Sequence, residues 1–180
     1  RRNLLGCLIR KEKIVGSSGQ FGPTACAVAR CLPMAVYTLE ASLAPPPGIF
    51  VGSSFGGSYM GAISASGDRL AVGAWNAGGG GGAFVYSVGS SVWAHEASLA
   101  PNGAGELFGL CLSLTADRLA VGAPNADPTG AGAYSGAVYL FARSASGAWE
   151  RRQVLTEPIP ARNRVYGWHV ALRGATLAVG

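Results

Sequence analysis

DRLAVGA stands at Asp68–Ala74 and again, letter for letter, at Asp117–Ala123; a third version, TLAVG, occupies Thr176–Gly180. Aligned on these copies without gaps, the preceding residues are YMGAISASG (59–67), FGLCLSLTA (108–116) and YGWHVALRGA (166–175). An aromatic residue falls at the same offset in each: Tyr59, Phe108 and Tyr166. Downstream, GGAFVYSV (81–88) aligns with SGAVYLFA (135–142), and each is followed by a Trp with Leu six residues on, Trp93 with Leu99 and Trp149 with Leu155. Tyr37 with Leu43 repeats that pair earlier, inside EASLAP (Glu40–Pro45), which recurs at Glu96–Pro101. Tyr37, Trp93 and Trp149 are 56 residues apart at both steps, whereas Gly73, Gly122 and Gly180 are 49 and 58 apart. Motifs that persist while spacings vary are the mark of a repeat protein with strands of fixed role and loops of free length.

Each unit divides into four short strands. GAISAS, CLSLTA and HVALRG lead through a tight turn (Gly67-Asp68, Ala116-Asp117, Gly174-Ala175) into the LAVGA strand. Period-two alternation sets Ile63 with Ala65, Leu112 with Leu114 and Val170 with Leu172 on single sides. A Gly-rich segment, Gly78–Gly82, is expected as a flexible loop before the GAFVYS strand. The aromatic-to-Leu strand comes last, with Trp93, His95, Ala97 and Leu99 expected on its inward side. Four antiparallel strands in about 50 residues is the size of a β-propeller blade. The reading is therefore all-β: residues 37–180 supply the end of one blade, two whole blades and the start of another, a fragment of a larger propeller. Residues 1–36 form a basic, Cys-containing leader, expected to be poorly ordered.

Composition agrees and removes several classes of function. With 28 Gly, 49% apolar and only 13% charged residues, the chain is too apolar and too sparsely charged for a disordered one. Its formal charge of +5 lies mostly in residues 1–13, where five basic residues and one Glu give +4. The repeats keep +1 and carry no electrostatic footprint for nucleic acid. No run reaches the ~20 apolar residues of a spanning helix, so no membrane insertion is expected. The cysteines (7, 26, 31 and 111) form no C-x-x-C pair. Cys26 and Cys31 could bridge in an oxidising compartment or remain free thiols.

The pattern F/Y-G, LAVGAP, GAVYLF and Trp resembles the FG-GAP repeat of integrin alpha-subunit propellers. It is closer still to extracellular bacterial and algal proteins with GDxLAVGAP repeats. Phe108-Gly109 followed by Gly122-Ala123-Pro124 carries both signature pieces. The first unit departs, with Met60 in place of Gly and Trp75 in place of Pro, although Phe55-Gly56 offers an alternative FG four residues upstream. Tyr166-Gly167 opens the third. Tyr59, Gly73, Trp93, Phe108, Gly109, Gly122, Pro124, Trp149, Tyr166 and Gly167 are thus the signature residues. The resemblance also implies a calcium loop of the form D-x-[DN]-x-D-G-x-x-D before the LAVGAP strand. Here that hairpin holds a single Asp (Asp68 or Asp117), or none. Calcium requires six to eight oxygens, so neither it nor another cofactor is expected; Asn125 and Asp127 are weak candidates beside a solvated turn.

Catalytic patterns fail on context. Gly52–Gly56 fits G-x-S-x-G, with Asp117 and His169 following in hydrolase order, but no helix follows to make the nucleophile elbow. Gly78–Gly82 lacks the Lys-Ser/Thr and helix of a phosphate loop. His169 shares the position of Ala62 and Cys111 and is expected as a packed or pore-lining residue; His95 is expected on an exposed outer strand. The resemblance implies a non-enzymatic extracellular or cell-surface module that binds a protein or glycan through loops on one face. The alternatives are the propeller portion of a larger secreted hydrolase and a structural spacer in a long surface protein.

Small residues in LAVGA suit face-to-face blades. Replacing Ala71 or Ala120 by Leu should cost about 1–3 kcal/mol in urea unfolding through overpacking.

Overall fold

Alternation in LAVGA sorts side chains by size. Leu70, Val72 and Ala74 point to one face of their strand and Ala71 and Gly73 to the other, so each sheet has a bulky face and a shallow one. The computed structural model, which describes residues 26–31, 37–47, 55–56, 63–89 and 92–180, shows what those faces meet. The strands are β1 (Cys26–Cys31), β2 (Tyr37–Leu43), β3 (Ile63–Ser66), β4 (Arg69–Ala74), β5 (Gly82–Val88), β6 (Trp93–Leu99), β7 (Leu112–Leu114), β8 (Arg118–Ala123), β9 (Ala137–Arg143), β10 (Trp149–Leu155), β11 (Val170–Arg173) and β12 (Thr176–Val179). Sheets β3-β4-β5-β6 and β7-β8-β9-β10 are complete four-stranded antiparallel blades, flanked by the two-stranded β1-β2 and β11-β12. These are propeller blades in an incomplete ring.

The shallow face of the first blade receives the bulky face of the second. Ala71, Ala83, Val85 and Leu99 share one core with Phe108, Leu119, Val121, Tyr139 and Phe141. Leu70, Val72, Phe84 and Tyr86, on the opposite face of the first blade, pack with Leu43 and Phe55. The second blade follows the same rule, since a Cβ on Gly122 would lie 2.0 Å from the carbonyl oxygen of Gly167, in the next unit.

Five readings of the sequence change here. The first concerns the FG of the first unit. Gly109 N–H donates to the Gly122 carbonyl at 3.1 Å, Gly167 to Gly180 at 3.0 Å, and Gly56 to Gly73 at 2.9 Å. Phe55-Gly56 is therefore that unit's FG, and Tyr59, outside the described residues, is not the equivalent aromatic. Phe55 lies 5.9 Å from Phe84 and 6.3 Å from Tyr86, as Phe108 lies 5.1 Å from Tyr139 and 6.1 Å from Phe141.

The second is a one-residue slip. Val72 pairs with Phe84 and Leu70 with Tyr86, while Val121 pairs with Tyr139 and Leu119 with Phe141. Phe84 thus corresponds to Tyr139, and Gly81 to Gly136 instead of Ser135. Matching the Gly-Ala letters gave the wrong phase, and a slip of one would have turned every side chain to the wrong face.

The third is the phase of the outer strand. Its pairing shifts between Val85 and Tyr86, leaving Glu96 as an extra residue on β6. Trp93 then packs on the first blade's bulky face, whereas Ala97 and Leu99 pack on the shallow one. The same bulge recurs at Arg152 on β10 and at Glu40 on β2, with the 56-residue step.

The fourth concerns the leader. β1 pairs with β2 as β5 does with β6, Cys26 standing opposite Leu43 as Ala83 stands opposite Leu99. Residues 26–31 are therefore the third strand of the preceding blade, and the boundary at 36/37 cuts a hairpin. CAVARC lacks the glycine and aromatics of its counterparts, which hid it. The extended strand sets the Cα atoms of its two cysteines about 16 Å apart, too far for a bridge between them. Residues 1–25 and 32–36 lie outside the described residues.

Gly78–Gly82 is a packed joint instead of a loose loop. Gly105 N–H donates to the Gly79 carbonyl at 2.7 Å and Phe108 N–H to that of Gly80 at 3.1 Å. A Cβ on Gly81, whose φ is +99°, would sit 2.1 Å from the Phe108 carbonyl oxygen. Gly81→Ala should therefore lower unfolding free energy by about 3 kcal/mol. Gly89→Ala, which meets open space, should shift it by under about 0.5 kcal/mol, both measured by urea denaturation.

Candidate functional site

Antiparallel order sends all the long connections to one end of the blades. Residues 75–81, 100–111, 124–136 and 156–169 lie there, and the tight turns of residues 67–68, 115–117 and 174–175 lie at the other. The loop end is held from within by a buried polar knot. Glu106, 8% exposed, accepts from Gly103 N–H at 2.7 Å and from the Tyr139 hydroxyl at 2.5 Å. Asn102 N–H donates to the Tyr139 hydroxyl oxygen at 3.3 Å, and Arg151 donates to the Asn102 side-chain carbonyl while lying 5.9 Å from the Tyr139 ring centre. Burial, then the Glu106 carboxylate, pushes Tyr139 up to about 12. The phenol stays protonated and the carboxylate is occupied, so this knot fixes the loop.

Loop 124–136 organises itself similarly. Asp127 accepts from Gly132 N–H at 3.1 Å, and the Ser135 hydroxyl lies 3.2 Å from Asp127 Oδ1 and 3.1 Å from the Ala126 carbonyl. Asn125 contributes its backbone N–H to the Glu106 carbonyl at 3.2 Å. The two metal candidates are thus components of one turn, and no group of three or more His, Cys, Asp or Glu gathers among the described residues. The next loop zips against this one: Asn163 N–H to Ala133 carbonyl at 3.1 Å, Val165 to Tyr134 at 2.8 Å, Tyr166 to Ser135 at 3.2 Å. Tyr134 on this ridge is 44% exposed, and Ile159, earlier in the same loop as Asn163, is 78% exposed. Arg164 pairs with Glu157 at 3.0 Å.

Beneath the loops, two contacts fasten blade to blade. Ser64 Oγ accepts from Leu114 N–H and Ser113 Oγ from Leu172 N–H, both at 2.9 Å. Farther out, Glu96 accepts from Arg143 at 2.8 Å, Trp149 Nε1 at 2.9 Å and Arg69 at 3.1 Å, the first two from the next blade. Burial alone would raise its pKa; the bonds from Arg143 and Trp149 and the charges of Arg69 and Arg143 outweigh it and hold the carboxyl below its ordinary value. Sequence reasoning missed Glu96 and the serines. Ser64 and Ser113 do share one aligned position, and Glu96 lies in EASLAP, so a signal existed.

The signature residues are otherwise joint pieces. Gly109 and Gly167, at φ +88°, occupy turns closed by Leu110 N–H to Leu107 carbonyl and Trp168 N–H to Val165 carbonyl, each at 3.1 Å. A Cβ on either would meet a carbonyl oxygen of the preceding blade within 2.4 Å. Pro124 is fully buried. Cys111 is buried, and burial pushes its thiol up to about 11, leaving it protonated and inert. His169 is exposed and so is not packed into a core. His95 is exposed too, yet stacks edge-on against Tyr86 at 5.6 Å. Of the G-x-S-x-G stretch, only Phe55 and Gly56 are described; Gly56 serves the backbone bond to Gly73.

Stacked four-stranded sheets, an aromatic-glycine turn docked into the preceding blade and a glycine-rich joint define a propeller repeat. A family model described as FG-GAP repeat matches residues 93–141, so the chain carries an FG-GAP repeat. That span takes the outer strand of one blade and the inner three of the next; it contains Glu96, while Arg69, Arg143 and Trp149 lie outside it. No curated protein matches the chain significantly.

Because the folded pKa of Glu96 is depressed, its contribution is present above the ordinary carboxyl pKa and is lost as pH falls through the folded value. Thermal scans from pH 7 to pH 3 should show this acid loss. Glu96→Gln should flatten it and lower stability at pH 7 by about 2 kcal/mol.

Proposed function

We propose that the chain is a non-enzymatic interaction module of extracellular or cell-surface type, engaging a protein or glycan through its loop end. One observation carries this reading. The long, dissimilar loops gather at one end, and their carboxylates Glu106, Asp127 and Glu157 are committed to partners inside the loops. Such groups shape a surface instead of acting on a substrate. The FG-GAP repeat supports an extracellular or surface setting, where such repeats typically occur. No helix among the described residues is long and apolar enough to cross a membrane.

The test is a probe of arrayed extracellular proteins and glycans with the 180-residue chain, run beside a panel of ester, peptide and glycoside substrates. Exchanging residues 128–133 for a Gly-Ser stretch should abolish the captured interaction, and Val92→Ala at the turn end should leave it unchanged. Turnover of any substrate above a heat-denatured control would overturn the reading in favour of a hydrolase portion. A chain that captures nothing would favour a spacer.

A further inference from the structure

We infer that the ridge carrying Tyr134 and Arg162, together with exposed Ile159 of the same loop as Arg162, is the contact site for an extended acidic peptide segment of a protein partner. This rests on the loop-end reading above and narrows it to one edge and one chemistry.

The ridge is built to present side chains. Residues 133–135 and 163–166 run side by side through three backbone hydrogen bonds, so Tyr134 and Arg162 project from adjacent, tied strands of loop. Gly132 leaves the space Arg162 uses, since a Cβ there would stand 3.3 Å from that of Arg162. Among the described residues, three of the four non-glycine residues at positive φ, namely Tyr134 (63°), Asn163 (63°) and Val165 (49°), cluster here. Left-handed backbone is unfavourable for a Tyr or a β-branched Val, and such strain gathers where a surface serves binding. Tyr and Arg are also the side chains that anchor protein interfaces.

Charge selects the partner. Residues 149–173 hold five Arg against two Glu, a net of +3, whereas residues 63–148 hold three Arg against five acids, a net of −2. Both glutamates of that cationic stretch are engaged, Glu150 with Arg152 and Glu157 with Arg164. Arg162 forms no ion pair among the described residues. A carboxylate is its natural complement. Exposed Ile159 and the Tyr134 ring suit apolar side chains alternating with that carboxylate. Sugar hydroxyls would need free carboxylates or amides, and Asp127 and Glu157 are already taken.

The probes are fluorescein-labelled ten-residue peptides in which Glu alternates with Leu, the same peptides with Lys for Glu, and a sulfated oligosaccharide of matched charge. Fluorescence anisotropy with the full chain should show the Glu peptide bound and the Lys peptide not, with binding weakened by added salt. Arg162→Glu should lower affinity at least ten-fold and Arg162→Lys less than three-fold. Tyr134→Gly, which relieves the positive φ and so keeps the fold, should also lower it ten-fold, and Val92→Ala should not change it. Equal binding of the Glu and Lys peptides, insensitivity to Arg162→Glu and Tyr134→Gly, or stronger binding of the oligosaccharide would each overturn the assignment. If exchange of residues 128–133 abolishes an arrayed partner while Arg162→Glu does not, this inference falls and the loop-end reading stands.

Discussion

Everything in this architecture depends on one contact between backbones. The aromatic-glycine turn of each unit reaches into the preceding unit so closely that a carbonyl oxygen occupies the place of a side chain. Phe108 lies against Gly81, Gly109 against Gly82, Tyr166 against Gly136 and Gly167 against Ala137. The turn glycine then donates its N–H to the last glycine of its own LAVGA strand. Glycine is demanded twice, by the left-handed turn and by the close approach. The FG and the G of GAP are therefore two halves of one joint, and sequence places them 13 residues apart in the second unit because the β7–β8 hairpin folds between them.

Once that joint is set, the size asymmetry of the sheets follows. A blade brought this near leaves room only for Ala and Gly on the receiving side of its LAVGA strand, which is why LAVGA alternates large and small. The outer seam adds directionality. Glu96 sits on an extra residue of one blade and draws Arg143 and Trp149 from the next, so three donors satisfy a carboxylate that burial would otherwise disfavour. Trp93 occupies the same position one unit earlier, 56 residues before Trp149.

The fold was largely legible because repetition converts one ambiguous strand into three aligned ones. Where the copies differ by an insertion or a bulge, letters misled. Tyr59 sat at the ungapped offset, yet hydrogen bonding belongs to Gly56, since a backbone donor is blind to the alignment of side chains. The Gly-Ala match slipped β5 against β9 because two adjacent glycines make the phase degenerate. β1 escaped notice since Ala27 and Ala29 stand where its counterparts hold aromatics, Phe84 and Tyr86 in one and Tyr139 and Phe141 in the other. Of the candidate site, the signature glycines were visible. Tyr134, Ile159 and Arg162 were not, because a loop residue's exposure and its neighbour across the chain are set by tertiary contact and have no period.

The recurring bulge has a second effect. The outermost strand of any open blade offers unpaired N–H and C=O groups to strands of other molecules. An inserted residue breaks the regular spacing of those groups, twists the rim, and at these three positions adds a charge: Glu40, Glu96 and Arg152. A foreign strand approaching the rim would meet a ladder out of step with its own. The same residue that fastens one blade to its neighbour thereby discourages uncontrolled growth of the sheet outward.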